Sequence, residues 1–534
     1  MSFKRITVAA LMACLVMSLA PAARTANPTL MVVRVHVDSP REAAELIARF
    51  DDTHNHGHDE VELLLWPGDE AELRAMGIDY TVVTRDLVAR DAELAAQTTG
   101  EVVEIPGPDR DDYRHLADYN TELAAIADEY PSMARLIELP EVSLEGRTAY
   151  GIEIAKDVKA NDGRPTFYID GVHHAREWPA GELPLLFAYH LLESYGKDKA
   201  VTALLGKLRV IVVPIVNVDG FDYSRESVLS LVEPLRPQLE PTGLVNGFEG
   251  YWRKNRRSLT GVTIPAAQKN PDAYGVDNNR NYSYLWGDQN GGSANEQYDA
   301  TYRGDAPFSE PENRNIRDLV LTNEVTGMIT NHTYQGSVLR PGGPGGPDYP
   351  LIFKISNEIA ARMGNQYDAR DSVGYPTTGT TDDWVYAVTG AIGFTIEHGR
   401  VGFHPAYTVG VGDPAGGVMA GFQYMAEVAA NPKYHSVLTG KVAGGAAKLT
   451  LTRKWKTPLS EGNPIGEEFV TESLKYTLNT NPDGSFEWHV PPSISPQADG
   501  NTAYTLTITR SGSKKVLSVK VNRGQRLNLG SIAL

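Results

Sequence analysis

Apolar and polar positions alternate with a period of two along residues 30–37 (LMVVRVHV), and residues 41–50 (REAAELIARF) repeat their apolar positions at helical spacing. Strand-like 60–66, helix-like 69–76 and strand-like 79–84 follow, and an acidic, Ala-rich helix is expected near 86–97. Together they predict a small α+β unit. Thr98-Thr99-Gly100 then opens a polar connector running through Pro106-Gly107-Pro108, a composition that suits an exposed, cleavable linker.

From 109 to about 430 the texture is different. Near-continuous apolar runs at 165–169, 208–215, 325–330 and 391–396 alternate with helical stretches near 112–128, 178–194, 311–322 and 351–364. Strands apolar throughout must be covered on both faces, so this segment is expected to be an α/β sheet. Residues 221–275 carry few regular signals and are expected to form long surface loops. Beyond 436, short strand-like runs recur between turns such as Asn481-Pro482-Asp483-Gly484, which predicts a β-sandwich of roughly 100 residues. The expected division is 1–26, 27–108, 109–432 and 433–534. A chain of 534 residues is long enough for about three domains at roughly 150 residues each.

The first 26 residues read as a secretory leader: Lys4 and Arg5, an apolar run from Ile6 to Ala20, then small residues at Ala20-Pro21-Ala22. Leu11-Met12-Ala13-Cys14 offers a lipoprotein box as the rival reading. The apolar run is too short for a membrane span, and no later stretch is apolar enough for one. Cys14 is the single cysteine, so a mature chain has no thiol and any metal site must use His and carboxylate ligands. A formal charge of −17 argues against nucleic acid as a partner.

The chemistry gathers where apolar strands end. His174 and Glu177 follow the strand that ends at Asp170, His332 ends the run at 325–330, and Glu397 ends the run at 391–396. Sites in open α/β sheets form beyond the carboxyl ends of strands. Two His and one carboxylate leave a fourth position for water, the arrangement of a catalytic zinc, and a spare carboxylate such as Glu397 can take a proton from that water. Each residue alone has a plainer reading. Glu397 could be a salt-bridged strand end, and Arg253, in the basic run at 253–257, could belong to a solvated face.

The blocks GVHHAREW (171–178), NVDGF (217–221), YWRK (251–254), GVDNNRNY (275–282), SEPE (309–312), NHTY (331–334) and the stretch from Tyr375 to Glu397 occur in order. On these motifs the segment 109–430, about three-fifths of the chain, resembles the catalytic domain of the zinc carboxypeptidases related to carboxypeptidases A, B and T. The resemblance implies a mixed central sheet with helices on both faces and one Zn2+ held by His174, Glu177 and His332. It implies Glu397 as general base and Arg253 as the group polarising the scissile carbonyl. Asn279, Arg280 and Tyr375 would bind a free C-terminal carboxylate, and Arg176 and Tyr334 would touch substrate further from the cut. Asp277 would orient His174.

The resemblance places Asp382 at the base of the pocket for the departing residue, where members that prefer Lys or Arg carry Asp and those that prefer apolar residues carry an aliphatic residue; a preference for Lys or Arg is expected, with broad specificity the close alternative. Gly343 is a second candidate for lining that pocket. Residues 27–100 sit where the family carries an inhibitory pro-domain, so a zymogen, an activating protease and secretion are expected. His54, His56 and His58 suggest a second metal site but read better as solvated. Val218 in place of the usual proline, and His398-Gly399 after Glu397, depart from the family pattern. An amidase acting on peptidoglycan or side-chain peptides is the alternative enzyme, and a non-catalytic binding protein is a third possibility. Retention of the carboxylate clamp and of Glu397 weighs against these two.

Overall fold

The computed structural model describes residues 29–53, 57, 59–97, 105–226, 248–257, 275–287, 292–342, 346–493 and 503–534. The leader with Cys14, the residues His54, His56 and His58, and Gly343 lie outside the described residues.

The N-terminal unit runs β1 (Met31–His36), α1 (Pro40–Phe50), β2 (Glu60–Leu65), α2 (Asp69–Ala75), β3 (Tyr80–Thr84) and α3 (Leu87–Gln97). Its strands pair antiparallel in the order β2-β1-β3. Helix α1 starts cleanly because the Ser39 hydroxyl accepts the Glu42 N–H at 3.2 Å and Pro40 occupies the first turn. It buries Ala43, Ala44, Leu46, Ile47 and Phe50. The chain leaves the helix at Asp51 with φ of 65° and ψ of 169°, a conformation rare outside glycine, and the Asp51 N–H still donates to the Ile47 carbonyl at 3.0 Å.

The central sheet has eight strands: β4 (Ala134–Glu138), β5 (Tyr150–Ile154), β6 (Thr166–Gly171), β7 (Arg209–Val213), β8 (Val325–Thr333), β9 (Ser337–Leu339), β10 (Asp368–Arg370) and β11 (Ile392–His398). Their order is β10-β9-β11-β8-β6-β7-β5-β4. The core strands β11, β8, β6 and β7 run parallel, while β9, β5 and β4 join antiparallel neighbours, so the sheet is mixed. Every residue of β6, β8 and β11 is buried, as strands covered on both faces require. Packed around them are α4 (Leu116–Glu129), α5 (Pro179–Ser194), α6 (Lys199–Leu205), α7 (Val218–Glu226), α8 (Pro311–Thr322), α9 (Tyr349–Met363), α10 (Thr381–Thr389) and α11 (Asp413–Ala430).

The stretch expected to be surface loop is in part buried. Helix α7 occupies its start, and Tyr251, Trp252, Arg253, Lys254 and Asn255 are all at most 4% exposed. Their polar groups are satisfied inside the molecule, for example Lys254 Nζ on the carbonyls of Gln297 and Asp299 at 3.1 and 2.9 Å. Periodicity is silent about such a segment because its folding rests on distant partners.

The C-terminal unit contains β12 (Ser436–Val442), β13 (Lys448–Pro458), β14 (Phe469–Asn479), β15 (Ser485–Val490), β16 (Tyr504–Arg510), β17 (Ser513–Val519) and β18 (Arg526–Ile532). They form a three-stranded sheet, β15-β12-β18, and a four-stranded sheet, β14-β13-β16-β17. Their buried side chains join the apolar core of the central sheet in one continuous cluster. Among the described residues no helix is long and apolar enough to cross a membrane.

Candidate active site and metal centre

Three adjacent parallel strands deliver the chemistry at their carboxyl ends. In the β11–β8 register Glu397 lies opposite His332, and in the β6–β8 register Gly171 lies opposite Asn331. The turn after β6 is sharp. A Cβ on Gly171 would sit 1.9 Å from the Ala180 carbonyl oxygen, so only glycine lets α5 approach this closely. Val172 follows with φ of 56°, a conformation costly for a β-branched residue and tolerated only where surrounding contacts hold it. Those contacts include Asn217 Nδ2, which donates to the His173 carbonyl at 3.2 Å, and the Ala175 N–H, which donates to the Arg253 carbonyl at 2.8 Å.

The turn brings His174 Nδ1 within 2.7 Å of Glu177 Oε1, and His332 Nδ1 lies 2.9 Å from Glu177 Oε2. The two Nδ1 atoms are 3.2 Å apart. Among the described residues these three side chains form a buried group whose ligand atoms all lie within 4.8 Å of one another. Burial, foremost, and then Arg253 hold His174 below its usual pKa, so its imidazole is neutral and has a lone pair to give. Glu177 stays ionised far below the usual carboxylate range; burial opposes this, but the two histidines outweigh it. His174 Nε2 is engaged by Asp277 Oδ1 at 3.1 Å, which leaves Nδ1 facing the centre. The donor set, its geometry and its charge fit a divalent zinc.

Asp277 also receives Arg253 Nη2 at 2.9 Å, and both side chains are fully buried. Asn279 Nδ2 lies 3.3 Å from His332 Nε2, while its Oδ1 accepts from the Thr381 N–H at 3.0 Å. Arg280 Nη2 approaches the Tyr375 hydroxyl at 3.3 Å. A cavity of about 260 Å³ is lined by His174, Asn279, Arg280, Tyr375, Asp382 and Glu397. Asp383 also borders it, accepting the Gly342 N–H at 2.7 Å. Burial, reinforced by neighbouring Asp382, pushes Asp383 up to about 7, and burial raises Asp382 as well.

A family model described as zinc carboxypeptidase matches residues 119–409, more than half of the chain. The chain belongs to the zinc carboxypeptidase family. Zinc carboxypeptidases that it resembles include human mast cell carboxypeptidase A, 26% identical over 59% of this chain and 70% of the relative. Zinc carboxypeptidase A 1 of Anopheles gambiae is 29% identical over 54% of this chain and 61% of the relative. The crystal structure of carboxypeptidase A from Helicoverpa armigera superposes with a TM-score of 0.58 at 20% identity, covering 76% of this chain and 98% of that one, which establishes a shared fold. One Zn2+ is the cofactor of this zinc carboxypeptidase, and the His174–Glu177–His332 group fits it.

Two residues in the cleft had no counterpart among the sequence candidates. Asp51 accepts both terminal nitrogens of Arg176, with Nη2 to Oδ1 at 2.9 Å, and the pair is at most 1% exposed. The Asp52 carbonyl accepts Arg176 Nη2 at 3.0 Å, and its carboxylate accepts the Tyr375 hydroxyl at 3.3 Å. Arg253 Nη1 stands 3.9 Å from Asp52 Oδ1. Tyr334 packs edge-on against Phe403 in a cluster that includes Leu30, Val32 and Leu87 of the N-terminal unit.

Proposed function

We propose that this protein is a secreted carboxypeptidase, made as a zymogen, that hydrolyses the last peptide bond of peptides and proteins and releases the C-terminal residue. The observation that carries the proposal is one cavity lined together by His174 of the candidate metal group, by Asn279 and Arg280, by Glu397 and by Asp382. Asn279 and Arg280 hold the terminal carboxylate, a task for which a guanidinium fork is well shaped, and Tyr375 closes over it. His174, Glu177 and His332 would hold the zinc, which when bound would supply Lewis acidity to the scissile carbonyl and the attacking water. Glu397 takes the proton of that water as its oxygen adds to the carbonyl carbon, and returns it to the departing amine as the C–N bond breaks. Arg253, oriented by Asp277, donates to the carbonyl oxygen as charge develops there. Arg176 and Tyr334 contact substrate beyond the cut.

Residues 27–100 act as an inhibitory cap that an activating protease removes. Support comes from Asp51 and Asp52, whose carboxylates occupy Arg176 and Tyr375. Secretion is supported by the leader pattern at 1–26. Asp382 favours Lys or Arg as the departing residue, since a buried carboxylate pairs with a cationic head. The test is a panel of blocked peptides ending in Lys, Arg, Phe or Leu, offered before and after limited proteolysis. Asp382→Ile shifts selectivity from basic to apolar ends by tenfold or more (~1.4 kcal/mol). An unchanged profile removes Asp382 from the pocket's role. Cleavage of peptidoglycan-type side-chain peptides in preference to all four peptides would favour the amidase instead.

A further inference from the structure

Glu472 lies on β14, a strand of the C-terminal unit, yet its carboxylate reaches the central domain. Alternation along β14 places Glu472 on the same inward face as Leu474, Tyr476 and Leu478, where an acid must be hydrogen-bonded to be tolerated. It is 7% exposed, and its two oxygens are used by two different walls of the cavity. Oε2 accepts the Ser283 hydroxyl at 2.8 Å, and Oε1 accepts the Trp384 indole N–H at 3.0 Å. The Thr457 hydroxyl, itself accepting the Trp455 indole N–H at 3.0 Å, also donates to Oε2.

Ser283 and Trp384 each adjoin binding groups. Ser283 follows Asn279 and Arg280 within four residues, and Tyr284 and Leu285 beside it line the cavity. Trp384 follows Asp382 and Asp383 on α10. The two walls are already stitched by main chain: the Tyr282 N–H donates to the Gly379 carbonyl at 3.0 Å, and the Gly379 N–H to the Tyr284 carbonyl at 3.2 Å. A Cβ on Gly379 would lie 2.4 Å from the Arg280 carbonyl oxygen, so the approach has no slack. The C-terminal unit grips the first wall again through the Leu285 N–H on the Pro458 carbonyl at 3.0 Å and the Ser460 hydroxyl on the Leu285 carbonyl at 2.6 Å.

We propose that Glu472 is a positioning residue for the substrate pocket: by clamping Ser283 and Trp384 it fixes the spacing between the carboxylate-binding wall and the helix that carries Asp382. The C-terminal β-unit is therefore a structural part of the pocket rather than a tethered accessory module. The proposal rests on the pocket assignment above, and it concerns affinity for the departing residue rather than the chemical step.

The test compares Glu472→Leu, Glu472→Gln and Asn161→Ala in the zinc-loaded full chain, before and after limited proteolysis. Steady-state kinetics on the four blocked peptides are paired with calorimetric binding of free arginine and phenylalanine. Glu472→Leu strands three buried donors, those of Ser283, Trp384 and Thr457, and raises KM and the Kd of the accepted amino acid about tenfold, with kcat within about twofold. Glu472→Gln restores most of the affinity, because its carbonyl still accepts from Trp384 and its amide can donate to the hydroxyls. Asn161, which bonds the Thr477 carbonyl at 3.0 Å elsewhere on the seam and does not line the cavity, is the control; its Ala variant leaves KM unchanged. Folded Glu472→Leu with unaltered KM and Kd, a loss confined to kcat, or an equal KM rise in Asn161→Ala overturns the proposal. If Glu472→Leu fails to fold, Ser283→Ala decides: it removes one arm and raises KM about threefold, and no change refutes the clamp. A wild-type enzyme indifferent to the C-terminal residue would defeat the specificity assignment instead, and the KM comparison would still stand.

Discussion

Substituting Asp51 by Ala tests the proposed latency at its contact with Arg176. In the intact chain its carboxylate grips Arg176, and both partners are at most 1% exposed. Removing one member of a buried ion pair costs about 3–5 kcal/mol, because the other is left charged and dry. Here the strain has an outlet: the N-terminal unit can lift and let Arg176 rehydrate. Asp52 retains its own contacts to Arg176 and Tyr375, which lowers the realised gain to the bottom of that range or below. At ~1.4 kcal/mol per tenfold, a gain of about 3 kcal/mol raises the open fraction about a hundredfold. The assay is hydrolysis of a small blocked peptide by the uncleaved chain, expressed relative to the same sample after limited proteolysis. Asp51→Ala raises that ratio about a hundredfold and Asp51→Asn by less, since the amide oxygen still accepts one hydrogen bond. A variant as silent as the wild type, with equal zinc content and equal melting temperature, refutes the Arg176 contact as the lock.

Glu397→Gln lowers kcat by at least a hundredfold while one zinc per chain remains by elemental analysis, because the substitution removes the proton acceptor and none of the metal donors. Peptides with an amidated C-terminus are turned over at least a hundredfold more slowly than the free acids, which competition kinetics on paired peptides will show. Glu312, 3% exposed and lifted to about 8 chiefly by burial, holds its proton in the folded state where the unfolded chain, near 4.5, has lost it. Stability therefore falls as pH rises between about 4.5 and 8, and Glu312→Gln flattens the melting-temperature profile across that window.

The three strands that carry the site were legible because β6, β8 and β11 are buried on both faces and so read as near-continuous apolar runs. Their ends were legible because metal chemistry demands particular side chains at particular spacings. Edge strand β4 and its neighbour β5 were missed: β4 is largely exposed, and ARLIE mixes the two periods. Helix α10, rich in Thr and β-branched residues, has little intrinsic helical preference and is stabilised by burial of nearly its whole length. Asp51 and Asp52 carry no local signal, since an acidic pair after a helix is ordinary until the distant Arg176 meets it. Glu472 did carry one. An acid in phase with Leu474, Tyr476 and Leu478 marks a buried carboxylate, though not its partners.

Charge links the proposed closure by aspartates to the proposed selection of a free C-terminus. Around the ligands stand Arg176, Arg253 and Arg280, set against Glu177, Asp277 and Glu397, all of them nearly inaccessible to water. These three guanidiniums and three carboxylates balance among themselves, with Asp382 and Asp383 also lining the cavity, and a divalent ion in their midst adds positive charge beside the arginines in a medium that screens poorly. Asp51 and Asp52 bring two carboxylates to this side of the site, one paired with Arg176 and one 3.9 Å from Arg253. When they depart, that positive charge is exposed to solvent at the mouth of the cavity, and a peptide whose terminus bears a carboxylate restores part of the negative charge that they provided. An amidated terminus brings no charge and leaves the arginines uncompensated. If the proposed function holds, the grip of the N-terminal unit and the selectivity for free acids draw on the same arginines, and both weaken together when Arg176 or Arg280 is made neutral.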